Sequence, residues 1–393
     1  MKILLFNAGS SSLKFSVLES ADGSVLASGM ADWAGDETRY LFSAPSARAT
    51  EVVTWDGPAG GVNRILHDLR QSLPGLFSGG DPLAAVGHRI VHGGDMTQAT
   101  RITAVVRSKL GDLSRLAPLH NPPSLETLDA VIAELPDIPQ VACFDTSFHR
   151  TMIPEAQEYP IPQEWAISWK IRRYGFHGLS HAYCANRATE MLVPQERALR
   201  LVVCHLGHGC SASAVRGGKC VDTTMGFTPL EGLMMATRSG SLDPELILHL
   251  QREHHLTPEE VSESLNKRSG LLGVSGISSD MRLVLESARQ GNERAALAVA
   301  MYCHRARQAI AALVVTMGGV DALVFTAGVG ENSAEVRSEI CKGLECLGLS
   351  LDFTRNRECE MDADIAADYS PGRILVIKTR EDITMLQQTV DAI

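Results

Sequence analysis

The chain has 393 residues, of which 45% are hydrophobic and 21% charged, and its formal net charge is -10. That length exceeds what a single hydrophobic core usually organises, so two domains are expected, and the composition is that of a folded enzyme rather than a disordered chain. The acidic balance excludes a broad electrostatic surface for nucleic acid, so an anionic substrate must be held by a few local cations.

The opening Met1-Lys2-Ile3-Leu4-Leu5-Phe6 is apolar but breaks at once into Asn7-Ala8-Gly9-Ser10-Ser11-Ser12, too short a run for a signal peptide. Apolar strand-like runs follow at 3–6, 13–18, 86–91, 140–144, 201–205, 212–215, 322–326 and 374–377. Residues 30–60 carry little periodicity and read as an insertion or a loop-rich hairpin region. Helical spacing begins at Asn121-Pro122-Pro123 and continues through Leu125, Leu128, Ile132 and Leu135. Thr257-Pro258-Glu259-Glu260 has the form of a capping box with proline at the first helical position. Residues 292–317 read as one long helix ending at Gly318-Gly319. His304, Arg305 and Arg307 interrupt that helix, so it does not suit a bilayer span. Strands alternating with helices give an α/β class. The nine cysteines form no CxxC pair and no zinc-type spacing, which fits reduced thiols in a cytoplasmic chain without a membrane anchor.

Leu5 to Val17 can be laid over Val203 to Val215: each is an apolar strand, a turn of glycine and small polar residues, then an alternating strand. Such an echo implies two related domains, each opening on a small-residue β-hairpin whose backbone N–H groups suit phosphates. Asn7 to Ser12 with Lys14 has the makings of a phosphate cradle, although GxxxxGK[ST] is absent and a strand follows; a plain polar hairpin turn fits the same residues. Arg89, His177 and Arg238 stand beside glycine or small residues, and Asp145 ends an apolar run. Taken singly, these residues fit surface arginines, a core histidine and a turn cap equally well.

Together they form an ordered series. Phe6-Asn7-Ala8-Gly9-Ser10-Ser11-Ser12-Leu13-Lys14 is followed by Gly87-His88-Arg89-Ile90-Val91-His92-Gly93-Gly94, Leu119-His120-Asn121-Pro122 and Phe144-Asp145-Thr146-Ser147-Phe148-His149. Then come Tyr174-Gly175-Phe176-His177-Gly178 with Ser180-His181, His205-Leu206-Gly207, Pro229-Leu230-Glu231-Gly232 and Thr237-Arg238-Ser239-Gly240. The series closes on Ser275-Gly276-Ile277-Ser278-Ser279-Asp280-Met281-Arg282 and Phe325-Thr326-Ala327-Gly328-Val329-Gly330-Glu331-Asn332. In this order the motifs closely resemble those of the acetate kinases.

The resemblance implies two duplicated actin-like, ribonuclease H-like domains clasping a nucleotide in the cleft between them, the first over 1–148 plus 383–393 and the second over 149–382. It implies Mg2+-dependent transfer of a phosphoryl group between ATP and acetate, giving ADP and acetyl phosphate, with Mn2+ as a possible substitute and a homodimer as the assembly. Carried over residue by residue, Arg89 would hold the acetate carboxylate, with Val91, Leu119, Phe176 and Pro229 around its methyl group. His177 and Arg238 would stabilise the transition state, where negative charge sits on three equatorial oxygens. Asp145 would position rather than act as a base, because a carboxylate substrate is already ionised, and with Asn7 and Glu381 it would organise the metal. Lys14, His205, Leu206, Gly207, His208 and Gly209 would face phosphates; Asp280, Met281 and Arg282, with Gly328, Val329, Gly330, Glu331 and Asn332, would frame the adenosine. The last of these segments reads as a glycine turn leading to a helix near Ser333.

Four positions depart from the family pattern: His208 stands for asparagine, Ala236 for glycine, Ser241 for aspartate, and Arg380 for asparagine ahead of Glu381. They raise an altered phosphoryl donor, and an imidazole at 208 titrating near neutrality. A propionate or butyrate kinase, a pyrophosphate-using relative and a non-catalytic ATP-binding module remain as alternatives, since one methylene discriminates by only about 1–3 kcal/mol.

Overall fold

The computed structural model of the chain describes residues 1–9, 12–33, 37–55, 57–80, 82–117, 120–192 and 198–393. Internal packing divides it into two compact units, residues 1–148 with 380–393 and residues 149–379.

The first unit is built on β1 (Lys2–Ala8), β2 (Ser12–Glu19), β3 (Val25–Asp32), β4 (Thr38–Ala44), β5 (Ala47–Val53), β6 (Leu83–Ile90), β7 (Thr100–Arg101) and β8 (Gln140–Phe144). Their order across the sheet is β5-β4-β3-β2-β1-β6-β8-β7. β1 to β5 form an antiparallel meander, whereas β1, β6 and β8 run parallel. The unbroken Ile3-Leu4-Leu5-Phe6 run suits a strand covered on both faces. Leu4 and Phe6 join Phe15, Tyr40, Val62, Ile65 and Leu66 in one cluster under helix Gly57–Ser72. The opposite face of β1, β6 and β8 receives helix Glu381–Asp391. A Cβ at Gly87 would collide with Thr389 Oγ1 and stand 2.7 Å from Leu5 Cδ2, so only glycine lets that helix lie so close.

Residues 30–60, expected as an insertion or a loop-rich hairpin region, hold the β4–β5 hairpin and the end of β3, with more strand than loop. Tyr40, Phe42 and Ala44 do alternate inward, but β5 is an edge strand with no fully buried residue, which dilutes the period-2 signal.

The second unit is built on β9 (Arg200–Leu206), β10 (Cys210–Arg216), β11 (Lys219–Thr223), β12 (Ala322–Thr326), β13 (Ala363–Asp364) and β14 (Arg373–Val376), in the order β11-β10-β9-β12-β14-β13. β9 is antiparallel to β10 and parallel to β12, and β12 is parallel to β14. This repeats β3-β2-β1-β6-β8 of the first unit strand for strand, so β1–β2 and β9–β10 occupy equivalent places and the duplicated α/β fold is present.

The capping box at Thr257 is complete, with Glu260 N–H donating to Thr257 Oγ1 at 3.2 Å and Thr257 N–H to Glu260 Oε2 at 2.8 Å. Helix Glu293–Thr316 starts on Asn292, whose Oδ1 accepts the Ala295 N–H at 3.0 Å, and Gly318 and Gly319 follow it with positive φ. Residues 328–332 are not a glycine turn. They belong to a short helix, Ala327–Asn332, that bends at Ala327 (φ +65°) and is held because Glu331 Oε1 accepts the Ala327 N–H at 2.8 Å. The next helix, Ala334–Cys341, is capped by Ser333. Among the described residues no helix is long and apolar enough to cross a membrane.

Candidate active site

In the first unit the three parallel strands deliver their candidate functional residues to one end of the sheet. Asn7 lies near the end of β1, Arg89 near the end of β6, and Asp145 directly follows β8, its N–H donating to Ile90 O at 3.2 Å. Arg89 grips Asp145 with two bonds, Nε to Oδ1 at 2.9 Å and Nη2 to Oδ2 at 2.7 Å. Its Nη1 donates to Asn7 Oδ1 at 3.3 Å and to Glu381 Oε2 at 3.2 Å. Asp145 is 1% exposed and Arg89 17%. Burial works against the guanidinium charge, but Asp145 and Glu381 outweigh it and hold the Arg89 pKa above its ordinary value. Glu381 opens its helix, where a carboxylate favours the positive end of the helix dipole. Lys14 is the cross-strand partner of Asn7 and is exposed.

Asn7 and Glu381 present hard oxygen donors, and one Arg89 charge against two carboxylates leaves the cluster net negative. Among the described residues no group of three His, Cys, Asp or Glu could cage a metal. Magnesium takes few protein oxygens and keeps waters and phosphates as its other ligands, so this sparse donor set fits it.

In the second unit the centre is the β9–β10 turn, His205-Leu206-Gly207-His208-Gly209. His177 precedes helix Gly178–Met191 with φ +56°, an uncommon conformation for a side-chain-bearing residue and a frequent mark of functional positions. Its Nδ1 is 2.9 Å from Ser211 Oγ, and its ring stacks on His205 with centroids 4.2 Å apart. A Cβ at Gly209 would stand 3.2 Å from His177 Nε2 and 3.4 Å from Arg238 Nη1, so the two converge on one glycine. Arg238 Nη1 also donates to Pro229 O at 3.2 Å, and burial holds its pKa below the ordinary arginine value.

Other expected residues fall into separate environments. Asp280 caps helix Met281–Arg289, accepting the Arg282 N–H at 2.9 Å and pairing with the Arg282 guanidinium at 2.6 Å; Met281 is buried in the core. Gly328 faces open space, and Asn332 Nδ2 donates to Gly328 O at 2.9 Å. Val329 is partly exposed, and Gly330 is buried against Phe325 and Leu206. Glu331 Oε1 accepts from Thr326 Oγ1, Ala327 N–H and Thr379 N–H at 3.3, 2.8 and 2.9 Å, so it clasps the ends of β12 and the segment after β14. Val91 stands in the first unit, with Phe176 (1% exposed) and Pro229 in the second; Leu119 lies outside the described residues, as do Ser10 and Ser11.

The four departures take defined contacts. For His208, desolvation and the Arg238 charge lower the imidazole pKa from its ordinary value. Ala236 N–H donates to His208 O at 3.1 Å. Ser241 exchanges two bonds with Gly232, through N–H to Gly232 O at 3.0 Å and by accepting the Gly232 N–H on Oγ at 3.1 Å. Arg380 turns onto Asp382, with Nε to Oδ1 at 2.8 Å.

Ser180 and His181 stand in a quoted motif, but the polar chain they form behind His177 was not foreseen. Ser211 Oγ also lies 2.7 Å from His181 Nε2, while His205 Nδ1 meets Ser180 Oγ at 2.8 Å and Ser180 meets Thr379 Oγ1 at 2.9 Å. The hint was the i, i+3, i+4 spacing of His177, Ser180 and His181, which sets them along one helix face. His88, inside a quoted motif, is a core group: its Nε2 meets Gln140 Oε1 at 2.7 Å and burial lowers its pKa to about 4.

Residues 2–387 match the model of the acetokinase family. The acetate kinase of Rippkaea orientalis is 45% identical over 99% of this chain and 98% of its own. That of Gloeothece citriformis is 47% identical over 97% and 96%. The crystal structure of Porphyromonas gingivalis acetate kinase aligns with a TM-score of 0.90 at 38% identity, over 99% of both chains. A propionate kinase from Francisella tularensis aligns at 0.92 and 37%, over the whole of both. With the motifs in order, the duplicated sheets and this agreement from end to end, the chain belongs to the acetokinase family.

Proposed function

We propose that the chain is an acetate kinase, transferring the γ-phosphoryl group of ATP to acetate to give acetyl phosphate and ADP, reversibly and with magnesium. The observation that carries this reading is the convergence of His177 Nε2 and Arg238 Nη1 on Gly209 in a chain that also keeps the Arg89–Asp145–Glu381 cluster. Phosphoryl transfer is largely positioning and charge stabilisation, and these groups supply donors for an oxygen-rich, anionic transition state. A purely nucleotide-binding module has no need of them.

In this reading Arg238 and His177 donate to the equatorial oxygens of the phosphoryl group. Arg89 receives the acetate carboxylate, held in orientation by its two bonds to buried Asp145. Asn7 and Glu381 would hold magnesium, or manganese in its place, which when bound would neutralise phosphate charge. With those two side chains so engaged, the Nη1 hydrogens of Arg89 become available to a carboxylate. Val91, Leu119, Phe176 and Pro229 would contact the methyl group, and Lys14 with the 205–209 turn the nucleotide phosphates. A cytoplasmic homodimer completes the proposal.

The test is acetyl phosphate formation, trapped as the hydroxamate, from acetate, ATP and magnesium, with propionate, butyrate and pyrophosphate in parallel arms. Highest kcat/KM with acetate and ATP is expected. The likeness to a propionate kinase favours propionate as the second substrate, and a higher kcat/KM for propionate would make it the first. No acid-dependent turnover with any donor would overturn the kinase reading.

A further inference from the structure

Ser211 sits on β10 with its hydroxyl between two imidazoles, 2.9 Å from His177 Nδ1 and 2.7 Å from His181 Nε2. A hydroxyl has one proton, so it donates to one ring and accepts from the other. His181 decides which. It is fully buried, and among the described residues its Nδ1 has no hydrogen-bond partner. Were its Nε2 the acceptor, the His181 proton would sit on Nδ1 as a buried N–H with nothing to receive it. An orphaned buried donor is rarer than an under-used acceptor. The proton of His181 therefore sits on Nε2 and is donated to Ser211 Oγ, whose own proton points at His177 Nδ1.

From this geometry we infer that Ser211 and His181 are positioning residues that fix His177 as the Nε2–H tautomer, an uncharged hydrogen-bond donor directed at the Gly209 turn. The inference deepens the proposed function, on which it rests for the ligand class, a phosphoryl oxygen. Nδ1 and Nε2 lie on opposite edges of the ring, so the edge away from Ser211 carries the proton to Gly209, beside Arg238 Nη1. Two neighbours of His177 disfavour a positive charge on its ring. Arg238 supplies positive charge at the same glycine, and the N-terminus of helix Gly178–Met191 adds its dipole. The His205 ring stacks on His177, and burial holds the pKa of His181, behind Ser211, well below its ordinary value. A neutral donor beside Arg238 supports the phosphoryl group without a second cation to desolvate.

The test is a long-range 1H–15N correlation spectrum of histidine-labelled protein at mildly alkaline pH, with His177 assigned by its loss in His177→Gln. A pyrrole-type Nε2 and a pyridine-type Nδ1 are expected. A proton on Nδ1, or an imidazolium, overturns the inference, and this readout holds whether or not acetate is the substrate. Ser211→Ala then removes the bridge and leaves the ring free to take either tautomer. Its kcat should fall about tenfold or more, the range of a lost general-acid-type or oxyanion donor, with nucleotide KM unchanged. Ser211→Thr, which keeps a hydroxyl, should recover both tautomer and kcat. A Ser211→Ala protein that keeps the Nε2–H spectrum and full kcat refutes the positioning role. The expected spectra with no turnover of any acid would leave the tautomer standing and remove the kinase reading instead.

Discussion

Replacing Arg89 with methionine tests whether the cluster at the sheet end is a charge pair that the fold depends on. The substitution keeps most of the apolar stem and removes a cation that contacts both Asp145, which is 1% exposed, and Glu381. Breaking a buried pair from one side costs about 3–5 kcal/mol, because the remaining charge stays desolvated. At a urea m-value of about 2 kcal/mol/M that shifts the midpoint by about 2 M. Adding Asp145→Asn removes the stranded charge and leaves only unmet hydrogen bonds, a cost of about 1–3 kcal/mol, so the double variant should be the more stable of the two. Because a two-unit chain need not unfold in one step, the assay must report on the first unit alone. Of the four tryptophans, Trp33 and Trp55 lie there, while the exposed Trp165 and Trp169 lie in the second unit and can be changed to phenylalanine. Fluorescence in that background then follows the first unit. The loss of stability relative to the parent should shrink as pH falls, since removing the guanidinium makes the buried carboxyl easier to protonate and protonation removes its charge. An Arg89→Met midpoint equal to the parent's, or a double variant no better than the single, would refute the argument.

Gly209→Ala puts a methyl 3.2 Å from His177 Nε2 and 3.4 Å from Arg238 Nη1; steady-state kinetics should show kcat down about a hundredfold, as for a misplacement near 1 Å, with the thermal midpoint unchanged. Burial lowers the pKa of His88 and of His149 to about 4, so the unfolded chain takes up their protons first as pH falls. Each should remove about 3 kcal/mol of stability between about pH 6.5 and 4, and denaturant midpoints measured across that window, with and without His88→Gln, would show it. Glu331→Ala strands two backbone N–H groups and should cost about 1–3 kcal/mol, whereas Glu331→Gln keeps the accepting oxygen and should cost far less in the same unfolding assay.

The strands nearest the candidate site were legible because they are covered on both faces. Ile3-Leu4-Leu5-Phe6, Val141 to Phe144 and Ala322 to Phe325 are buried throughout, and such runs read as strands without a periodic signal. The capping box at Thr257 was legible because its two hydrogen bonds are local. β5 was not, since the residues it turns to the core, Ala47, Ala49 and Val53, are mostly small and only partly buried, and β11 was missed although Gly217-Gly218, both at positive φ, marks a two-residue hairpin turn before it. Within the site, residue identities at Arg89, Asp145, His177 and Arg238 were visible, but their partners were not. Nothing local joins Arg89 to Glu381, or His177 to Ser211; those contacts arise from strand order and register. The surroundings of His208 are of the same kind, since the burial and the Arg238 charge that lower its pKa are not written in its neighbours.

The matching registers of the two sheets make each unit a natural variant of the other. Phe6 pairs with His88 as Cys204 pairs with Phe325, and His88 pairs with Ala142 as Phe325 pairs with Val376. Counting on, Arg89 corresponds to Thr326 and Asp145 to Thr379. In one unit these neighbouring strand ends are fastened by a guanidinium on a carboxylate, and in the other by a single Glu331 oxygen that accepts from both. Equivalent strand ends are thus crosslinked in both units, by an ion pair in one and by shared backbone and hydroxyl donors in the other. The fold accepts either chemistry at this spot, and only the ionic version leaves charges there that a ligand could use.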